Sequence, residues 1–99
     1  MRAAYWLTHL DHDWRSIIWR PWLDAFARDA TLVRYDQRGC GLSDRDVADI
    51  SFDAWLTDLE TVVDAAGLAR FTLLGMSQGA AIAVAYAVRH PERVARLVI

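Results

Sequence analysis

The 99 residues are 55% hydrophobic and 24% charged, with a formal net charge of −2. These totals fit one small globular domain with a modest core and exclude a disordered tail. No basic block that could grip a phosphate backbone occurs, which argues against nucleic-acid binding by this segment, and no apolar run approaches the ~18 residues of a membrane span.

The first ten residues carry one arginine without the long apolar stretch of a signal peptide. The single cysteine, Cys40, cannot form an internal disulfide. Both features predict a cytoplasmic setting. Ala3 to Trp6 reads as a strand. Four of the five tryptophans (Trp6, Trp14, Trp19, Trp22) fall in the first quarter and read as core. Trp19, Trp22, Leu23, Phe26, Ala27 and Ala30 recur with the i, i+3, i+4, i+7 spacing of an amphipathic helix, with Pro21 in its first turn. "TLVRYD", Thr31 to Asp36, reads as a second strand, and "QRGCGLSDRD" as a loop in which Gly39 and Gly41 allow positive φ.

Ser51 is a predicted N-cap for a helix whose apolar stripe runs through Phe52, Trp55, Leu56, Leu59, Val62, Val63 and Ala66, with Gly67 just past its end. Phe71 to Met76 is almost wholly apolar, as in a strand covered on both faces. Gln78 to Arg89 has helical composition, apolar nearly all round, and reads as buried; Pro91 ends it. "ARLVI" begins a last strand. The order β-α-β-α-β-α-β predicts an α/β fold, a doubly wound and mostly parallel sheet with helices on both faces.

Between the third strand and the third helix stands Gly75-Met76-Ser77-Gln78-Gly79. A Gly-x-Ser-x-Gly pattern arises by chance in about 3% of chains this long, so its position matters more than its letters. A strand before it and a helix after it make the setting of a nucleophile elbow. There the serine sits on a sharp turn, the flanking glycines avoid collision, and the next N–H lies at a helix N-terminus suited to a developing oxyanion. The plainer reading is that Ser77 caps the helix.

Serine needs a base, and the base an orienting acid. His90 lies about 18 Å from Ser77 along the intervening helix, at 1.5 Å per residue, and reads as the helix end. His9 and His12 follow the first strand near the expected crevice and read as surface histidines. His9, Asp11 and His12 are metal-ligand types without a further protein ligand, so no metal or other cofactor is expected. Cys40 reads as a small loop residue. "GCGLSD" lacks the third glycine of a dinucleotide fingerprint, Asp44 standing in its place. Arg38 reads as the residue whose hydrogen bonds hold the loop.

"YDQRGCGLSD" resembles the D-x-R-G-x-G-x-S loop after the fourth strand of the α/β-hydrolase superfamily. "LLGMSQGAAIAVAYAVRHPERVARLVI" is similar to that family's elbow strand, following helix and sixth strand. "YWLTHLDHDWRSIIW" more narrowly resembles hydrolase-like modules fused to helix-turn-helix regulators or nucleotide cyclases. The resemblance spans nearly the whole chain. It implies Ser77 as nucleophile and Gln78 N–H as half of the oxyanion hole. The other half would be the N–H of Leu7, where Tyr5-Trp6 replaces the His-Gly that many relatives carry before the site. It also implies that the strand at Ala3 lies between those at Thr31 and Phe71, with the crevice at this switch point.

In that family the acid and then the histidine follow the serine. The 22 residues after Ser77 offer no such pair. Residues 1–99 are therefore expected to be an N-terminal, incomplete part of an α/β-hydrolase domain, without its last strands, acid, base or lid. By itself the chain is expected to be inactive as an esterase and to self-associate through open sheet edges. The implied function is that of a piece of a serine hydrolase acting on a small ester- or amide-like substrate. The alternative is a non-catalytic ligand-sensing or interaction module of a signalling protein. Either way the partner is a small-molecule substrate or ligand.

Overall fold

The computed structural model describes all 99 residues. In chain order the elements are α1 (Leu10–Arg15), α2 (Arg20–Ala27), α3 (Phe52–Ala65), β1 (Phe71–Leu74), α4 (Gln78–Arg89) and β2 (Val94–Val98). β1 and β2 are parallel, with Thr72, Leu73 and Leu74 opposite Arg96, Leu97 and Val98.

Two extended segments continue this sheet. Ala3 N–H donates to Leu74 O at 2.9 Å, Leu74 N–H to Met1 O at 2.9 Å, and Arg2 N–H to Val33 O at 3.0 Å. The first segment thus runs between the Thr31–Asp36 segment and β1, in the order the resemblance implies. Neither segment is a regular strand, which corrects the four-strand expectation. Arg2 and Leu74 form one isolated parallel bridge, and Val33 accepts a lone bond, too few contacts for a ladder. The first segment is also displaced from Ala3–Trp6. Its bonds lie at Met1 to Ala3, while Trp6 and Leu7 form a turn closed by Thr8 N–H on Tyr5 O at 3.2 Å.

Successive residues of an extended chain face opposite ways. Ala3 enters a core with Leu56, Leu59 and Val63 of α3, Phe71 and Leu73 of β1, and Ile82, Ala83 and Tyr86 of α4. Arg2 faces the other side, where it is 1% exposed. Its Nη2 lies 3.0 Å from Asp13 Oδ2 in α1, and Arg34 Nη1 lies 3.6 Å from the same oxygen. Leu23 of α2 is fully buried on this side. Helices therefore cover both faces, and none is long and apolar enough to cross a membrane.

The cap signals act as read. Ser51 Oγ accepts from Ala54 N–H at 3.2 Å. Gly67 adopts φ 64°, its N–H bonds Asp64 O at 3.0 Å, and Leu68 N–H bonds Val63 O at 3.1 Å. This paired closure satisfies carbonyls the helix end would leave free.

Three expectations are corrected. α1 forms in a stretch after the first segment where no helix was expected; His9 Nδ1 accepts from His12 N–H at 3.3 Å to cap it, and the buried pair with Arg2 holds Asp13. The early tryptophans are not core: Trp6 and Trp22 are 58% exposed and Trp14 41%. Trp22 instead pairs with Phe26 along an apolar cleft of about 310 Å³ that also touches Ile18, Leu23 and Met76. α4 is buried on one face only, with Ala81, Val84 and Val88 exposed, because β1, β2 and α3 meet a single side of it.

Removing one member of a buried pair leaves the other charge uncompensated, at about 3–5 kcal/mol. Asp13→Ala is expected to lower the unfolding free energy by about that amount, measured by urea titration with circular dichroism. A loss within error of zero would show that Arg2 is satisfied without it.

Candidate active site

β1 runs into Gly75, whose N–H donates to Val98 O at 2.9 Å. Two residues on, Ser77 has φ 52° and ψ −126°, and it is the one non-glycine residue with positive φ. Such a backbone costs about 1–3 kcal/mol and persists only where the surroundings fix it. Here the chain doubles back into α4 at once, with Gly79 N–H on Met76 O at 2.8 Å and Ala80 N–H on Ser77 O at 3.0 Å.

The glycines are required by close approach. A Cβ on Gly75 would stand 2.6 Å from Gly79 O and 2.7 Å from Ala80 Cα; one on Gly79 would stand 2.8 Å from Ala4 O. Ser77 occupies the N-cap position, yet its hydroxyl makes no capping bond, and the residue is exposed. The capping interpretation fails on both the dihedral and the missing bond. The N–H of Gln78 has no acceptor and opens a 12-residue helix, where the dipole favours negative charge.

Contact of Gly79 with the Ala3 and Ala4 carbonyls sets the start of α4 beside the end of the first segment. That segment then turns at Trp6–Leu7. Leu7 is 63% exposed and its N–H is unpaired. The Ser77 elbow and the Leu7 turn so lie at one end of the sheet, at the carboxyl ends of adjacent extended segments.

The loop after Tyr35 packs against the Leu7 turn. Asp36 Oδ2 accepts from Leu10 N–H at 3.1 Å and Leu42 N–H at 2.9 Å, and Ser43 Oγ donates to Asp36 O at 2.7 Å. A Cβ on Gly41 would fall on the Asp36 carboxylate, so glycine is obligatory there. Arg38 forks onto Asp58, with Nε at 2.7 Å and Nη2 at 2.6 Å, and Nη1 reaches Asp49 O at 3.0 Å, the structural role read for it. The cleft of about 680 Å³ beside this pair lies against α3, away from Ser77. The sequence showed Asp36 as a strand end and the first residue of the loop motif but not its role in holding the loop, and it did not point to Thr8. Cys40, read as a small loop residue, donates from Sγ to Trp6 O at 3.1 Å.

The histidines are engaged elsewhere. His9 caps α1, its ring 4.0 Å from that of His12. No cluster of three His, Cys, Asp or Glu side chains is arranged to hold a metal. His90 ends α4, opposite Ser77, with Nε2 2.8 Å from Glu60 Oε1 and its ring 4.7 Å from Tyr86. The His90 hydrogen bond, with Arg89 adding to it, holds the Glu60 carboxyl below its usual range.

This arrangement, a parallel sheet layered by helices with a strained serine between strand and helix, defines an α/β-hydrolase-type fold. Residues 11–99 match the family model described as alpha/beta hydrolase fold, and the chain belongs to that family. It is 38% identical over 82 residues to the 2-hydroxymuconate semialdehyde hydrolase of Pseudomonas sp. (strain CF600), covering 82% of this chain and 29% of that protein. It is 36% identical over 81 residues to an Azorhizobium caulinodans protein assigned as the carbamate hydrolase RutD, covering 82% and 31%. The crystal structure of a hydrolase from Pseudomonas aeruginosa PA01 superposes with a TM-score of 0.81 at 28% identity, covering 99% of this chain and 35% of that one. The chain spans about a third of the length of these relatives.

Gly75→Ala is expected to destabilise by about 1–3 kcal/mol, because backbone atoms rather than a flexible side chain must give way; a lowered thermal midpoint reads it. Separately, Glu60 has a folded pKa below its usual 4.5. Its contribution is present above that value and is lost as pH falls through the folded value. Glu60→Gln should therefore lower stability at pH 7 and flatten the fall in melting temperature below about pH 4.5. Parallel acid limbs in both proteins would refute the coupling.

Proposed function

We propose that this chain carries the nucleophile and oxyanion hole of a serine hydrolase acting on a small ester, amide or similar carbonyl compound. The carrying observation is Ser77, held at φ 52° with its hydroxyl unbonded and exposed. Its Oγ attacks the carbonyl carbon and gives its proton to a base. The carbonyl oxygen, now an oxyanion, is held by the N–H groups of Gln78 and Leu7. Collapse expels the leaving group and leaves an acyl-serine, which water hydrolyses.

His90 and His9 are bonded elsewhere and the His12 ring packs on His9, so we assign the base and its acid to the two-thirds of the relatives' length that this chain does not cover. Relatives named for a semialdehyde and a carbamate support a small carbonyl substrate. The free Cys40 thiol suits a reducing cytoplasm. Exposed Leu97, Val98 and Ile99 support self-association of the 99 residues on their own.

Ser77→Ala in the full chain is expected to cut ester turnover at least 10⁴-fold, on the order of other serine-nucleophile knockouts, and to abolish fluorophosphonate labelling. Turnover that survives the substitution refutes the assignment. Ligand binding without turnover in both proteins would instead favour a ligand-sensing module.

A further inference from the structure

An oxyanion donor on a turn works only if its peptide plane is fixed. The peptide joining Trp6 to Leu7 lies in a sharp, exposed turn, without the ladder bonds that hold a strand. Two contacts reach this turn, both from the loop after Asp36. Gln37 N–H donates to Thr8 Oγ1 at 3.4 Å, and Cys40 Sγ–H donates to Trp6 O at 3.1 Å.

The second contact has a directional consequence. All peptide bonds are trans, so the C=O and N–H of one peptide point opposite ways. The first segment is flanked on one side by the Thr31–Asp36 segment and its loop, through Arg2 N–H on Val33 O, and on the other by β1 and the elbow, through Ala3 N–H on Leu74 O and the Gly79 contact. The Trp6 carbonyl faces the loop. The Leu7 N–H lies on the opposite edge of that peptide, away from the loop.

We infer that the loop from Gln37 to Ser43 is a splint for the oxyanion turn, with Cys40 as the positioning residue that aims the Leu7 N–H by holding the Trp6 carbonyl. Asp36, just ahead of the splint, ties down its far end by accepting from Leu42 N–H and anchors it to α1 by accepting from Leu10 N–H. The inference rests on the reading of Leu7 as an oxyanion donor. Cys40 touches no reacting atom; a thiol is chosen at this site for its donor and its size between two glycines, not for nucleophilicity.

The test compares Cys40→Ala, Cys40→Ser and Thr8→Val in the full chain. Cys40→Ala should lower kcat about fivefold with KM unchanged, since a weak donor acting through another group contributes less than a direct oxyanion donor. Cys40→Ser, which restores a donor, should recover at least half of kcat, and Thr8→Val should act in the same direction as Cys40→Ala. The backbone order parameter of Leu7 from ¹⁵N relaxation should fall in Cys40→Ala and not in Cys40→Ser. Capping the thiol of the already folded protein with methyl methanethiosulfonate, which forms a methyl disulfide and expels methanesulfinate, removes the same donor without refolding and should lower kcat alike, with Cys40→Ser unaffected. Wild-type kcat and Leu7 order in Cys40→Ala, or equal impairment in Cys40→Ser, would overturn the inference. Loss of Leu7 order together with turnover that survives Ser77→Ala would leave the splint standing and refute the catalytic reading.

Discussion

The structure turns on one backbone conformation that ordinary residues avoid. Ser77 sits at a positive φ because β1 and α4 meet almost on top of one another, and the meeting is possible because Gly75 and Gly79 have no side chains to collide. Everything at the site is a consequence of that bend. The hydroxyl is left without a helix partner, the Gln78 N–H is left without a carbonyl, and both stand at the end of the sheet rather than within it. The strain is supported from below by a core in which Leu59, Leu73, Ala83 and Tyr86 are wholly enclosed. Leu59 and Leu73 each contribute about 1.5–3 kcal/mol when fully buried, enough together to hold a local strain of the same size.

The turn proposed as the other half of the site is built differently. The turn at Trp6–Leu7 has no ladder around it, and order comes from a neighbouring loop through Thr8, Cys40 and Asp36. Beneath both, Arg2 and Asp13 place an ion pair inside the face opposite the main core. That pair fixes α1 against the first segment and so fixes where the turn begins. Charge pairing below and polar contacts beside the turn do for this half what close packing does for the elbow.

Much of the fold was legible because it is encoded locally. Ser51, Gly67 and Pro91 mark helix ends through atoms a few residues away, and α4 spans the expected Gln78–Arg89. The elbow was legible for the same reason, since Gly75, Ser77 and Gly79 act on one another. The first two strands were not, because extended sequence becomes a strand only when a partner offers successive bonds, and here the partners offer one or two. The tryptophans misled because an apolar side chain signals burial only if something covers it.

By itself, then, the sequence determined the elbow, the caps and the alternation of extended and helical segments, since short-range sterics and hydrogen bonding decide each of them within a turn or two. Tertiary structure decided which residues attend the Trp6–Leu7 turn beside the elbow. Cys40 meets Trp6 across 34 positions and Gln37 meets Thr8 across 29. No spacing rule reaches that far, because such contacts depend on the order in which segments lie side by side in the sheet.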